Sequence, residues 1–206
     1  ASGTERDAAD TLVYSINGGS ADNGLSGYDV SQTGTYGTLY LNSSNGNYAF
    51  VPNDSAIEGV KTNVGEDFIV AVTDGTTSVS QRLTASISGS DDSLSVAALT
   101  GITVTDTAVD DSFSATTSSV SATERDTADT LAYAISGGSA DTSESGFTHS
   151  RTGTYGKLFI NSGTGAYKFV PTDSAVEGLT SSVSEDFTVT VTAGSDSENQ
   201  TLTATI

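Results

Sequence analysis

The chain has 206 residues, room for two modest domains, and sets 7 Lys and Arg against 26 Asp and Glu for a formal charge of −19. Such a surface repels nucleic acid and anionic membranes, so neither a nucleic-acid partner nor membrane insertion is expected. Cys, Met and Trp are absent, which removes disulfides and thiol chemistry, and no stretch approaches the roughly 18 apolar residues of a membrane span.

The chain opens on Ala1-Ser2-Gly3-Thr4 without a basic or apolar leader, and it reads as a piece of something longer. An acidic cluster follows at once: Glu5, Asp7 and Asp10, interrupted by Arg6. Residues 11–16 alternate, with Leu12, Tyr14 and Ile16 on one face, as a half-buried strand does. Thr38-Leu39-Tyr40-Leu41 and Tyr48-Ala49-Phe50-Val51 flank Asn45-Gly46 and predict a β-hairpin, because Gly takes positive φ without steric cost. Pro52 through Gly59 predicts a short helical turn with Asp54 as N-cap and Gly59 as stop. Glu66-Asp67 precede a strand at 68–72, Asp74-Gly75 end it, and residues 83–87 form its partner. Asp91-Asp92 follow where the two domains join.

From residue 123 the pattern returns. Residues 4–87 align with residues 123–206 without a gap at an offset of 119, and about 50 of the 84 positions are identical. A period that long is one autonomous domain per repeat, since solenoid repeats run about 20–50 residues. Glu124, Asp126 and Asp129 repeat the opening cluster, and Ala193 stands where the first copy has Asp74. Residues 88–122 occur once and offer strands at 102–104 and 110–115. The predicted domains are therefore 1–92, lacking one or two N-terminal strands, and 93–206. An open sheet edge invites pairing, so self-association or cover by a neighbouring copy is expected in the first. Short strands between Gly, Asn and Asp turns predict an all-β chain of two antiparallel β-sandwiches.

Three carboxylates within six residues repel one another. Two readings fit them: a Ca2+ site, since that ion takes six to eight oxygen ligands, or a solvated acidic turn partly neutralised by Arg6 or Arg125. A salty habitat would scatter acids over strand faces, whereas these gather in turns. The single histidine, His149, is replaced by Val30 in the first copy, and no phosphate loop, metal-protease helix or nucleotide fingerprint occurs. No enzyme is expected. A carbohydrate-binding sandwich is the main rival, with Tyr28/Phe147, Tyr36/Tyr155 and Tyr40/Phe159 as aromatic candidates and Tyr40 the best of them. Homophilic adhesion is a second rival.

Gly-Thr-Tyr-Gly-x-Leu, Asn-x-x-x-Gly-x-Tyr-x-Phe-Val-Pro, Glu-Asp-Phe-x-Val-x-Val-Thr and Ile87-Ser88-Gly89-Ser90-Asp91-Asp92 together resemble the VCBS-type, cadherin-like repeats of large bacterial RTX-class adhesins. The resemblance covers nearly the whole chain. It implies tandem Ig/cadherin-like sandwiches, secretion to the bacterial cell surface, and cell adhesion and biofilm roles as an extender between neighbouring repeats. It also implies Ca2+ near domain junctions, drawn from Glu66, Asp67, Asp91 and Asp92 with Glu124 and Asp126. At the start of the first domain the set would be Glu5, Asp7, Asp10 and Asp74. Glu124 departs from the Asp usual in that family, and Ala193 removes one ligand.

Overall fold

The computed structural model describes residue 4 and residues 11–206. Glu5, Asp7 and Asp10 lie outside the described residues. The chain divides into two compact units, Ala1–Asp91 and Asp92–Ile206.

The first unit runs β1 (Val13–Ile16), β2 (Ser20–Ala21), β3 (Val30–Thr33), β4 (Gly37–Leu41), β5 (Tyr48–Pro52), a single turn α1 (Asp54–Ile57), β6 (Val64–Thr73) and β7 (Ser78–Ile87). Two sheets result, ordered β1-β6-β7 and β2-β3-β4-β5. The second unit adds β8 (Ser95–Val96), β9 (Ile102–Thr103), β10 (Thr116–Ser119) and β11 (Ala122–Thr123). It then repeats the plan as β12 (Leu131–Ile135), β13 (Ser139–Ala140), β14 (His149–Thr152), β15 (Gly156–Ile160), β16 (Ala166–Pro171), α2 (Asp173–Val176), β17 (Ser184–Ala193) and β18 (Asp196–Thr205). Its sheets are β12-β17-β18-β9 and β10-β16-β15-β14-β13, with β8 and β11 as a separate pair.

Both units are β-sandwiches, because alternation puts one face of each strand inward. In the second, Tyr133, Val189, Val191 and Leu202 of one sheet share a core cluster with Leu158, Ile160, Tyr167 and Phe169 of the other. Phe169 and Phe187 meet edge-on across that core, centroids 5.9 Å apart, a geometry that sets the positive ring edge against the partner's negative face. The first unit repeats it with Phe50 and Phe68 at 6.0 Å. The predicted hairpin is present, with Gly46 and Gly165 at φ 73° and 71°.

Three local expectations are corrected. Residues 110–115 are not a strand; the Asp111 amide there donates to Glu177, and the strand begins at Thr116. Asp54 is the first helical residue, and the N-cap is Asn53, as Thr172 is for α2. Glu66 and Asp67 do not precede a strand but lie inside β6, which starts at Val64. Among the described residues no helix is long and apolar enough to cross a membrane.

Candidate metal centre

Two groups of acids converge in the second unit. The first lies where sequence reasoning did not look. Asp106 follows β9, Asp111 lies in the unrepeated loop, and Glu177 caps the end of α2. Each offers an oxygen within 4.8 Å of the others. The loop is wound around these carboxylates: Thr107 N donates to Asp111 Oδ2 at 2.7 Å, and Asp111 N donates to Glu177 Oε1 at 2.7 Å. Asp106 Oδ1 is buried with no hydrogen-bond partner among the described residues. Buried polar oxygens normally find a partner, so this one could hold a cation. Beside it a cavity of about 460 Å³ opens between residues 103–108 and Leu179–Ser182.

The second group is the predicted Glu124-x-Asp126-x-x-Asp129. Asp126 is 2% exposed, and a charged residue that buried requires compensation. Part of it comes from Asp92 N, which donates to Asp126 Oδ2 at 2.7 Å. Glu124 Oε1 accepts from Arg125 N and Asp126 N at 2.8 and 3.1 Å, and Asp129 N closes the turn onto Asp126 O at 3.0 Å. Glu124 Oε2 is buried without a hydrogen-bond partner among the described residues. Asp126 and Asp129 present oxygens within 4.8 Å of each other. The Asp129 carboxylate lies against the β17–β18 turn, where a Cβ at Gly194 would overlap it. Backbone amides thus hold the Glu124 and Asp126 carboxylates. Such oxygen-only, preorganised sets fit a hard divalent cation.

The remaining predicted ligands have other partners. Both oxygens of Glu66 are taken by the amides of Thr35 and Tyr36, the second at 3.1 Å. Glu185 repeats this with Thr154 at 2.6 Å and Tyr155 at 3.1 Å. Here the Gly-Thr-Tyr-Gly motif acquires its reason: a Cβ at Gly34 or Gly153 would overlap the glutamate. Asp67 binds Arg82 Nη1 at 3.1 Å and Thr84 Oγ1 at 2.5 Å across the β6–β7 ladder. Asp74 accepts from Thr76 N and Thr77 N at 2.8 and 2.6 Å and shapes its own hairpin turn. Asp91 pairs with Lys61 at 2.9 Å.

Other polar groups are structural by their contacts. Lys157 bonds Asp141 at 2.6 Å. That ammonium, helped by Ser143 and Ser150, holds the Asp141 carboxyl well below the usual carboxylate range. Ser31 and the Gly24 amide lower Asp22, and Ser43 lowers Asp29, while burial raises Tyr133. His149 Nδ1 meets Thr148 Oγ1 at 3.1 Å, whereas Ser150 Oγ donates to Asp141 Oδ2 at 2.7 Å. Successive strand residues face opposite sides, so His149 and Ser150 diverge. Tyr40, the best of the aromatic candidates, is half-buried and tilted 55° against Tyr28. Phe159 is buried beside Phe147.

No family model and no curated protein matches the chain. Solved structures do. The EC1-3 segment of Drosophila N-cadherin aligns with 97% of this chain at 14% identity and a TM-score of 0.40. The EC1-2 segment of chicken VE-cadherin aligns with all of it, and with 87% of its own length, at 14% identity and 0.33. An endo-fucoidan hydrolase of glycoside hydrolase family 107 aligns with 95% at 12% identity and 0.30, over 23% of its own length. The chain spans about half, 56%, of the N-cadherin segment it matches.

Proposed function

We propose that this chain is a Ca2+-binding extender module of a repetitive bacterial cell-surface adhesin, of the VCBS-type class that its motifs resemble, and that it carries no catalytic activity. The observation that supports cation binding most directly is the convergence of Asp106, Asp111 and Glu177, with one buried Asp106 oxygen lacking a hydrogen-bond partner. Asp126 and Asp129 of the second unit, with Glu124 beside them in sequence, form the second set. A bound Ca2+ supplies two positive charges and accepts six to eight oxygens.

The chain's own residues do the rest. The amides of Asp92, Arg125 and Asp126 hold Asp126 and Glu124 of the second set in place. The amides of Thr107 and Asp111 do so for the first. Neutralising these clusters removes repulsion that the folded form carries and the unfolded chain relaxes. Ion binding therefore adds stability as RT ln(1 + [L]/Kd), about 2.7 kcal/mol at a hundredfold excess over Kd. A module stiffened in this way projects neighbouring repeats away from the cell, which is a mechanical role and needs no cleft.

Isothermal titration with Ca2+ tests the reading. Wild-type protein should bind in at least two classes. Asp106→Asn with Glu177→Gln should abolish one, and Asp126→Asn the other, while Asp173→Ala changes neither. Titrations that none of these substitutions alters would overturn it.

A further inference from the structure

We propose that the first unit is an acceptor: its two open sheet edges take up a segment with the sequence pattern of residues 93–122, carried by a neighbouring repeat of the same class. The duplication supplies an internal control. In the second unit, β10 pairs antiparallel with β16, Thr116 opposite Phe169 through Ser119 opposite Ala166. In the same unit, β9 pairs parallel with β18, Ile102 opposite Ala204 and Thr103 opposite Thr205. The counterparts of β16 and β18 in the first unit are β5 and β7. Among the described residues neither has a strand on its outer edge.

The consequence appears at identical residues. Tyr167 is 2% exposed, but its copy Tyr48 is 48% exposed. Phe169, Val189, Val191 and Leu202 are fully buried; their copies Phe50, Val70, Val72 and Leu83 are the same residues and only half-buried. The sequence at these positions does not differ; what differs among the described residues is the cover. In the second unit that cover is Val96, Ile102, Val104 and Val120, all members of its core cluster. Unpaired edges with apolar side chains beneath them are templates for an added strand. By the offset of 119, the incoming segment would place its Thr116 equivalent opposite Phe50 and its Ser118 equivalent opposite Tyr48. Its Ile102 equivalent would lie opposite Ala85. The inference requires no cation and stands apart from the metal reading.

The test uses the whole chain with Tyr48→Trp, which adds a single Trp to a protein that has none. A synthetic peptide of residues 93–122 should bind at 1:1, shift the Trp emission to the blue, and protect the amides of residues 47–50 and 84–87 from hydrogen exchange. A peptide with Val96, Ile102, Val104 and Val120 changed to Asp should do none of this. If the peptide aggregates, the same segment fused directly before Thr4 provides the second measurement, with the same emission shift and protection expected. An unchanged emission and exchange pattern in the fusion would overturn the proposal. So would a chain that dimerises by sedimentation with Tyr48 already protected, since a second copy would then occupy the edge.

Discussion

Gly153 and Glu185 form a testable couple. Glu185 gives one oxygen to Thr154 N at 2.6 Å and the other to Tyr155 N at 3.1 Å, and Gly153 leaves room for the carboxylate to approach. Hydrogen bonds to charged acceptors contribute about 1.5–3 kcal/mol when dry and less when wet. Thr154 is exposed and Tyr155 half-buried, so Glu185→Ala should cost about 2 kcal/mol for the pair of bonds. For a unit of roughly 100 residues that is a fall in midpoint of about 8–16 °C. Gly153→Ala should cost a similar amount, because its methyl expels the carboxylate. With Glu185 already removed, the three atoms nearest that methyl are gone, and its cost should fall to about 0.5 kcal/mol or less. The double variant therefore unfolds close to either single one, a coupling of roughly 1.5 kcal/mol in a double-mutant cycle. Calorimetry reads this directly. Glu66→Ala in the first unit shifts the other transition and so assigns the two. A double variant destabilised by the sum of the singles would refute the reasoning.

Phe169→Ala should cost about 3–5 kcal/mol, as for a buried aromatic, while Phe50→Ala at the half-buried copy should cost less than half of that in its own unit, read by urea unfolding. The Asp141 carboxyl is lowered in the fold, so its contribution is present above the unfolded value near 3.9 and is lost as pH falls through the lower folded value. Wild-type protein should therefore exceed Asp141→Asn in stability at pH 6, with the gap narrowing steadily below about pH 4 in acid titrations followed by circular dichroism. A gap independent of pH would remove the Lys157 ion pair as its source.

The duplication and the alternating strands were legible because apolar residues recur with period two in both copies. Short strands such as β2 and β13 carry no alternation and escape such a reading. Thr116–Ser119 is a run of hydroxyl residues, so the more apolar 113–115 next to it attracted the prediction. The acids were visible, but their partners were not. Glu66 sits on a strand, and its hydrogen-bond donors are backbone amides some thirty residues upstream, a distance that spacing rules do not reach. One signal was available: Gly34, Thr35, Tyr36 and Glu66 are all retained in the second copy, as coupled residues should be. Asp106 and Asp111 lie in the segment without a copy, where no such comparison exists.

Cation binding at these acid clusters is tested most directly by thermal unfolding in EDTA and across a Ca2+ titration, with Mg2+ as control. The acid clusters predict a midpoint that rises with Ca2+ well beyond the effect of equal Mg2+, because the smaller ion demands near-ideal octahedral geometry and dehydrates reluctantly. The rise should shrink when Asp106 and Glu177, or Asp126, are neutralised. A midpoint that does not move, or that Mg2+ moves equally, would contradict the claim and reduce the clusters to solvated acidic turns.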